Sequence, residues 1–204
     1  MAGVDESIVR EYFEMHGFLV RQLRKYQIQA RAKRDDEQID LIVYNPTFIP
    51  SDRKPSLMLF ATDLPLIQRA IVVVKGWHSQ RFSAATLRSS SEIFKFLEKD
   101  VLKQAEGLFD LKDKRVEGMG AFSKILVIPG LPTHEPHKSQ SIAILEDAGI
   151  DAILSFRSML QEIVSHVEVN HNYQKSDMLQ ILRLLKNYDM IKSPQLELFD
   201  KKNK

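Results

Sequence analysis

Two charged residues break into the most apolar stretches of this 204-residue chain, and both are of types that do chemistry. Asp40 sits within QIDLIVY (38–44), and Lys75 closes the aliphatic part of AIVVVKGWH (70–78). A carboxylate taken out of water without a partner is strongly destabilising, so Asp40 needs a cation, a metal ion or a rich set of hydrogen bonds beside it. Lys75 and Mg²⁺ are the candidates. A lysine at the end of a buried strand either reaches back to solvent or faces an anion, and Gly76 behind it lets the backbone turn sharply.

The elements that must hold these groups follow from hydrophobic periodicity. Residues 70–74 are mostly β-branched and read as a central strand buried on both faces. Residues 5–16 place Ile8, Val9, Tyr12, Phe13 and Met15 at helical spacing, with Gly17 as the stop. Residues 18–23 alternate apolar and polar. After the Asp40 strand, Asn45, Pro46, Pro50, Ser51, Asp52 and Pro55 mark a long inserted loop, with a short strand expected within 56–61. A long amphipathic helix is predicted within 82–108, carrying Ile93, Phe94, Leu97, Val101, Leu102 and Ala105 on one face. KILVI (124–128) is the next buried strand. Beyond it the pattern predicts a helix over 141–148, a strand over 151–155, a helix over 159–167 and a last helix over 176–190. This is α/β organisation, expected as a single domain over 1–191 with a flexible tail over 192–204.

Composition narrows the class. With 44% hydrophobic and 27% charged residues the chain can bury one sizeable core. Cysteine is absent, which removes disulfides and thiolate metal sites and suits a reducing compartment. No secretory leader pattern opens the sequence, and no apolar run approaches the length of a membrane span, so a cytoplasmic location is expected. A net charge of +2 permits nucleic-acid binding without requiring it. Local clustering must decide.

The order of helix, hairpin with Asp40, strand with Lys75, helix and strand KILVI resembles the core of the PD-(D/E)XK superfamily, the restriction-endonuclease-like and Holliday-junction-resolvase-like nucleases. The resemblance covers about 5–128. It implies a restriction-endonuclease-like mixed sheet flanked by helices, here with additional C-terminal α/β elements. That family carries an acid on its first helix, an aspartate on its second core strand and a (D/E)-x-K tripeptide on the third. Glu6, on a helix closed by Gly17 and Phe18, corresponds to the first; Asp40 matches the second; Lys75 matches the last letter of the third. Two residues before Lys75, however, stands Val73, which cannot ligate a hard cation. Some members move this acid to the following helix, and Glu92 is the candidate, although Ser89-x-x-Glu92 also fits a capping box.

For an intact site the resemblance implies that Asp40, aided by Glu6 and Glu92, holds Mg²⁺ against a scissile phosphate. The ion would lower the pKa of a bound water and neutralise developing charge, while Lys75 positions the attacking water. Two simpler roles stay open. Asp40 and Lys75 can form an ion pair, and Glu6 can complement the helix macrodipole. A degenerate, noncatalytic DNA-binding or adaptor module is the alternative to a magnesium-dependent nuclease, and the resemblance also brings a homodimer into view, because nucleases acting on two strands are often dimers.

Other residues point to partners. Arg24, Lys25, Arg31, Lys33 and Arg34 form the most basic segment, with Tyr26 among them, and suit either phosphate contacts or a solvated hairpin face. Arg81 and Arg88 follow the Lys75 turn and are further DNA-contact candidates. His134 and His137 share H-x-x-H spacing but read as loop residues; His78 reads as a solvent-exposed imidazole at a strand end, with phosphate contact as the alternative, and Trp77 as a cover for the edge of the core, with base stacking as the alternative. The tail spells QLELF at 195–199, with Gln195, Leu196, Leu198 and Phe199 resembling the bacterial sliding-clamp-binding pentapeptide. Four such letters arise by chance in roughly one chain of this length in several hundred.

Overall fold

The structure, a computed structural model, describes residues 2–22, 40–76, 109 and 121–191. The described residues divide into two compact units, the first ending at Met159 and the second starting at Leu160.

The first unit is built on a five-stranded mixed sheet. Helix α1 (Ala2–Met15) leads into β1 (Leu19–Gln22), followed by β2 (Leu41–Tyr44), β3 (Arg69–Val74), β4 (Ser123–Ile128) and β5 (Ala152–Ser155). Spatial order equals chain order. β1–β2 and β2–β3 pair antiparallel, whereas β3–β4 and β4–β5 pair parallel, so β3 is the strand at which the sheet changes direction. The expectation of a central strand at 70–74 is met: Ala70, Ile71, Val72 and Val73 are all buried.

Each face of the sheet has its cover. α1 packs against β1, β2 and β3 through Val9, Tyr12 and Phe13. The other face gathers Ile71, Val73, Leu126, Ile128 and Ile153 with Phe109, Leu131, Leu145 and Ile150. Leu145 belongs to α2 (His137–Asp147), the crossover helix between parallel strands β4 and β5.

α1 stops where the sequence places its stop. Gly17, at φ +82°, donates to the Glu14 carbonyl, and Phe18 donates to Phe13, which is the Schellman arrangement of a left-handed glycine end. The Phe13 and Phe18 rings meet edge to face at 5.3 Å, fixing the reversal into β1.

The insertion between β2 and β3 crosses to the far edge of the sheet. Met58 forms a parallel bridge with Ile153, Leu59 N–H donates to the Ile153 carbonyl, and Ile153 N–H donates to Leu57. The strand expected within 56–61 is thus one bridge long, and it covers the outer edge of β5. A 3-10 turn (Ala61–Leu66) then returns the chain toward β3.

α2 starts four residues earlier than the sequence pattern suggests, because a carboxylate ahead of it supplies a cap. Glu135 Oε2 accepts from Ser139 N–H at 3.2 Å and from the Ser139 hydroxyl at 2.6 Å. His137 is therefore the first residue of a helix rather than part of a loop. Helix α3 (Phe156–His166) follows β5 directly, with Ser155 Oγ accepting from Ser158 N–H at 3.1 Å.

In the second unit, α4 (Asp177–Asn187) is capped by Ser176, whose Oγ accepts from Leu179 N–H at 3.3 Å. Arg183 Nε donates to the Val169 carbonyl and Lys186 Nζ to the Val167 carbonyl, so polar links from α4 satisfy the chain that follows α3. No residue of α4 is buried.

Candidate functional site

The site begins with a local fault in the β2–β3 ladder. Leu41 pairs with Val72, yet Asp40 N–H also donates to the Val72 carbonyl at 3.1 Å, so two successive residues oppose one. That is a β-bulge, which bends the entering strand and re-aims its side chain. Asp40 Oδ2 accepts a hydrogen bond from the backbone N–H of Val74 at 2.6 Å. The carboxylate takes the place of a strand carbonyl just where β2 begins, and it is 6% exposed. A short bond to a charged acceptor is among the stronger hydrogen bonds available inside a protein.

Lys75 follows Val74 at once. Its N–H donates to the Val127 carbonyl at 2.8 Å, so the ladder with β4 continues past the end of β3. By strand alternation Lys75 leaves the backbone on the side of Val73. Val73 itself is fully buried in the apolar cluster with Leu126, Ile128 and Ile153.

Glu6 is carried by α1. The reversal at Gly17 sends β1 back along α1. Glu6 is half-buried one turn before Val9. Asp40, at the start of β2, and Lys75, just past β3, thus lie at one end of an antiparallel pair, whereas Glu6 stands on α1, which covers the face opposite Val73.

The other candidates do not enter this geometry. Glu92, Arg81, Arg88, Trp77 and His78 lie outside the described residues, as do Arg24, Lys25, Arg31, Lys33 and Arg34 of the basic segment and Gln195, Leu196, Leu198 and Phe199 of the tail. The helix expected within 82–108 also falls there.

Among the described residues no group of three His, Asp or Glu side chains is placed to hold a metal ion. Asp40 gives one buried carboxylate, and Val73, two residues before Lys75, is packed in the core. These residues by themselves do not fit Mg²⁺, which demands several oxygen ligands in octahedral geometry. No catalytic step follows from them alone.

Two acid–base clusters elsewhere have their own explanation. On α1, Arg10 lies 3.3 Å from Glu11 and 3.8 Å from Glu14; burial and the Glu11 charge outweigh Arg10 and push the Glu14 carboxyl up. In the insertion, Asp63 is buried with Oδ1 3.5 Å from an Arg53 nitrogen and Oδ2 accepting from Phe60 N–H at 3.4 Å. Both hold local structure.

Sequence reasoning did not name the Val74 N–H as a partner of Asp40. The one signal available was the position of Asp40 at the start of its strand, where a side chain can finish a ladder that the backbone leaves open. No described helix is long and apolar enough to cross a membrane. Comparison with protein-family models, curated proteins and solved structures gives no match.

Proposed function

We propose that the chain is a nuclease-like DNA-processing protein of PD-(D/E)XK type, with Asp40 and Lys75 at its centre and the tail peptide as a tether to a bacterial sliding clamp. The observation that carries this reading is the buried Asp40 carboxylate, set by a bulge against the end of β3 where Lys75 emerges. The mixed five-stranded sheet supports it. Bulges are frequent beside active sites because they aim a side chain that a regular strand would leave elsewhere.

Val73 favours a second reading. A fully buried valine at the expected acid position suits a noncatalytic DNA-binding or adaptor module, unless Glu92 supplies the second carboxylate. Cleavage of duplex, flap and junction DNA with and without Mg²⁺ separates the two. Metal-dependent cleavage lost in both Asp40→Asn and Glu92→Gln makes the chain an enzyme; DNA binding without cleavage in the wild type makes it a module; neither binding nor cleavage removes both readings. The tether is tested by calorimetry against a bacterial clamp, where the joint change Leu198→Ala and Phe199→Ala should abolish an affinity of around micromolar expected for a short peptide that orders on binding.

A further inference from the structure

Helix α4 carries more apolar surface than the contacts around it use. At about 100° per residue, the apolar positions from Met178 to Tyr188 spread over roughly 220° of its circumference. A surface helix with a single neighbour needs a stripe of about half that width. One side of the arc is engaged. Arg183 and Lys186 stand beside Leu179 and Leu182 and reach the Val169 and Val167 carbonyls, so this side meets the chain that follows α3. The other side stays open among the described residues. Ile181, Leu184 and Tyr188, at positions i, i+3 and i+7, are 57%, 42% and 72% exposed. Asp177 stands in line with them at the start of the helix and is exposed too.

How α4 ends decides which segment lies next to this row. Asp189 takes a left-handed turn, and Met190 and Ile191 both donate N–H groups to the Leu185 carbonyl, at 2.8 and 3.3 Å. The chain is thereby turned back over the last turn of the helix instead of continuing along its axis. The unit that holds α4 runs on to Lys204. Its remaining sequence has three large apolar residues, Leu196, Leu198 and Phe199, and closes on DKKNK. From Ile191 to Phe199 the chain reaches at most about 26 Å, and α4 is about 16 Å long, so these residues can be laid along the whole row.

Charge gives the direction. A tail returning from the end of α4 passes Tyr188 first and Asp177 last, which brings Lys201, Lys202 and Lys204 toward the carboxylate at the far end of the row. An exposed pair of this kind adds little energy and serves chiefly to orient.

We infer that the row Ile181–Leu184–Tyr188 is the intramolecular dock of the chain's own Leu196, Leu198 and Phe199, with the tail running antiparallel to α4. The dock rests on exposure, on the helix ending and on the tail's composition. Its consequence rests on the function proposed above: the docked residues are those of the clamp-binding peptide, so α4 competes with the clamp for them. A docked fraction of about four-fifths lowers the apparent clamp affinity about five-fold, because affinity falls with the fraction of molecules competent to bind.

The chain has no cysteine, so Asn203→Cys carries a single nitroxide, and paramagnetic broadening of amide signals reports where the end of the tail rests. Docking should broaden Asp177 to Gln180 more than Asn187 to Met190, although the latter are nearer along the chain. The reverse order, that of an undocked tail, overturns the proposal. Leu198→Ala with Phe199→Ala, and separately Ile181→Gln with Leu184→Gln, should each bring on the reverse order. The two pairs alter opposite sides of one contact, so either remains readable if the other perturbs folding. Broadening that persists in both overturns the dock. Broadening passed from a labelled chain to an unlabelled, isotope-enriched one would make the occupant a second copy and overturns the intramolecular assignment. In calorimetry, Ile181→Gln with Leu184→Gln should bind a bacterial clamp about five-fold more tightly than wild type. Absence of clamp binding with the docked pattern retained removes the tether reading alone; equal clamp binding by both proteins with the undocked pattern removes the dock alone.

Discussion

β3 and α4 are both rich in aliphatic side chains, yet they spend them differently. β3 carries Ala70, Ile71, Val72 and Val73 into the interior, whereas α4 holds Met178, Leu179, Ile181, Leu182, Leu184 and Leu185 without burying one of them fully. Ile181, Leu184, Tyr188 and Met190 are exposed. The first unit is thus held by area removed from water on both faces of a sheet. The second draws more on its ends: a serine cap, two cation-to-carbonyl links and a left-handed turn. Apolar content alone does not reveal which of these two regimes a segment occupies.

The largest expected effect breaks or upholds that contrast directly. Leu126→Ala, at a fully buried β4 position, should destabilise the first unit by about 3 kcal/mol, combining lost transfer energy with a cavity. Leu184→Ala on α4 should cost under about 0.5 kcal/mol, as surface substitutions do. Urea unfolding followed by circular dichroism compares them. Equal losses would mean that α4 is buried in solution and that the contrast is wrong.

An intermediate effect sharpens what the buried polar groups do. Asp40→Ala should cost about 1–3 kcal/mol, because it strands the Val74 N–H away from water. Asp40→Asn keeps an oxygen acceptor in place and should lose distinctly less. If the two variants fall equally, the charge of Asp40 rather than its hydrogen bond stabilises the strand end, and a cation then matters more than the ladder.

Asp40 also shows where the sequence stops being legible. Its burial and its need for a partner follow from the aliphatic run around it, and β3, β4 and the Gly17 stop follow from β-branching and glycine placement. Which partner it finds depends on a bulge, and a bulge shifts register by one residue without leaving a mark in hydrophobic periodicity. The start of α2 was hidden for a related reason. Glu135 caps through Ser139, a contact of two polar residues that apolar spacing cannot register. Leu19, Tyr44 and Arg69 come from three separate segments, and only strand pairing sets them side by side. Short-range pattern gave the elements; what they aim at each other is set by register.

The smallest expected effect concerns how helices end in the two units. α1 and α2 close on Gly17 and Gly149, at φ +82° and +73°, each followed by the paired Schellman hydrogen bonds. α4 closes in the same way, with Asp189 N–H donating to Lys186 and Met190 N–H donating to Leu185, but here an aspartate holds the left-handed position at φ +53°. A side chain there costs about 1 kcal/mol relative to glycine, and glycine gives part of that back through its freer unfolded chain. Asp189→Gly should therefore stabilise α4 by about 0.5 kcal/mol, read as slower amide exchange along the helix. Gly17→Ala is the matching change in the first unit. No atom lies within 4 Å of the added Cβ, so its loss of about 1 kcal/mol should be conformational rather than steric. An Asp189→Gly variant whose helix exchanges faster would show that the aspartate side chain earns its place by a contact in solution, and that the second unit is more tightly organised at its end than its exposed face suggests.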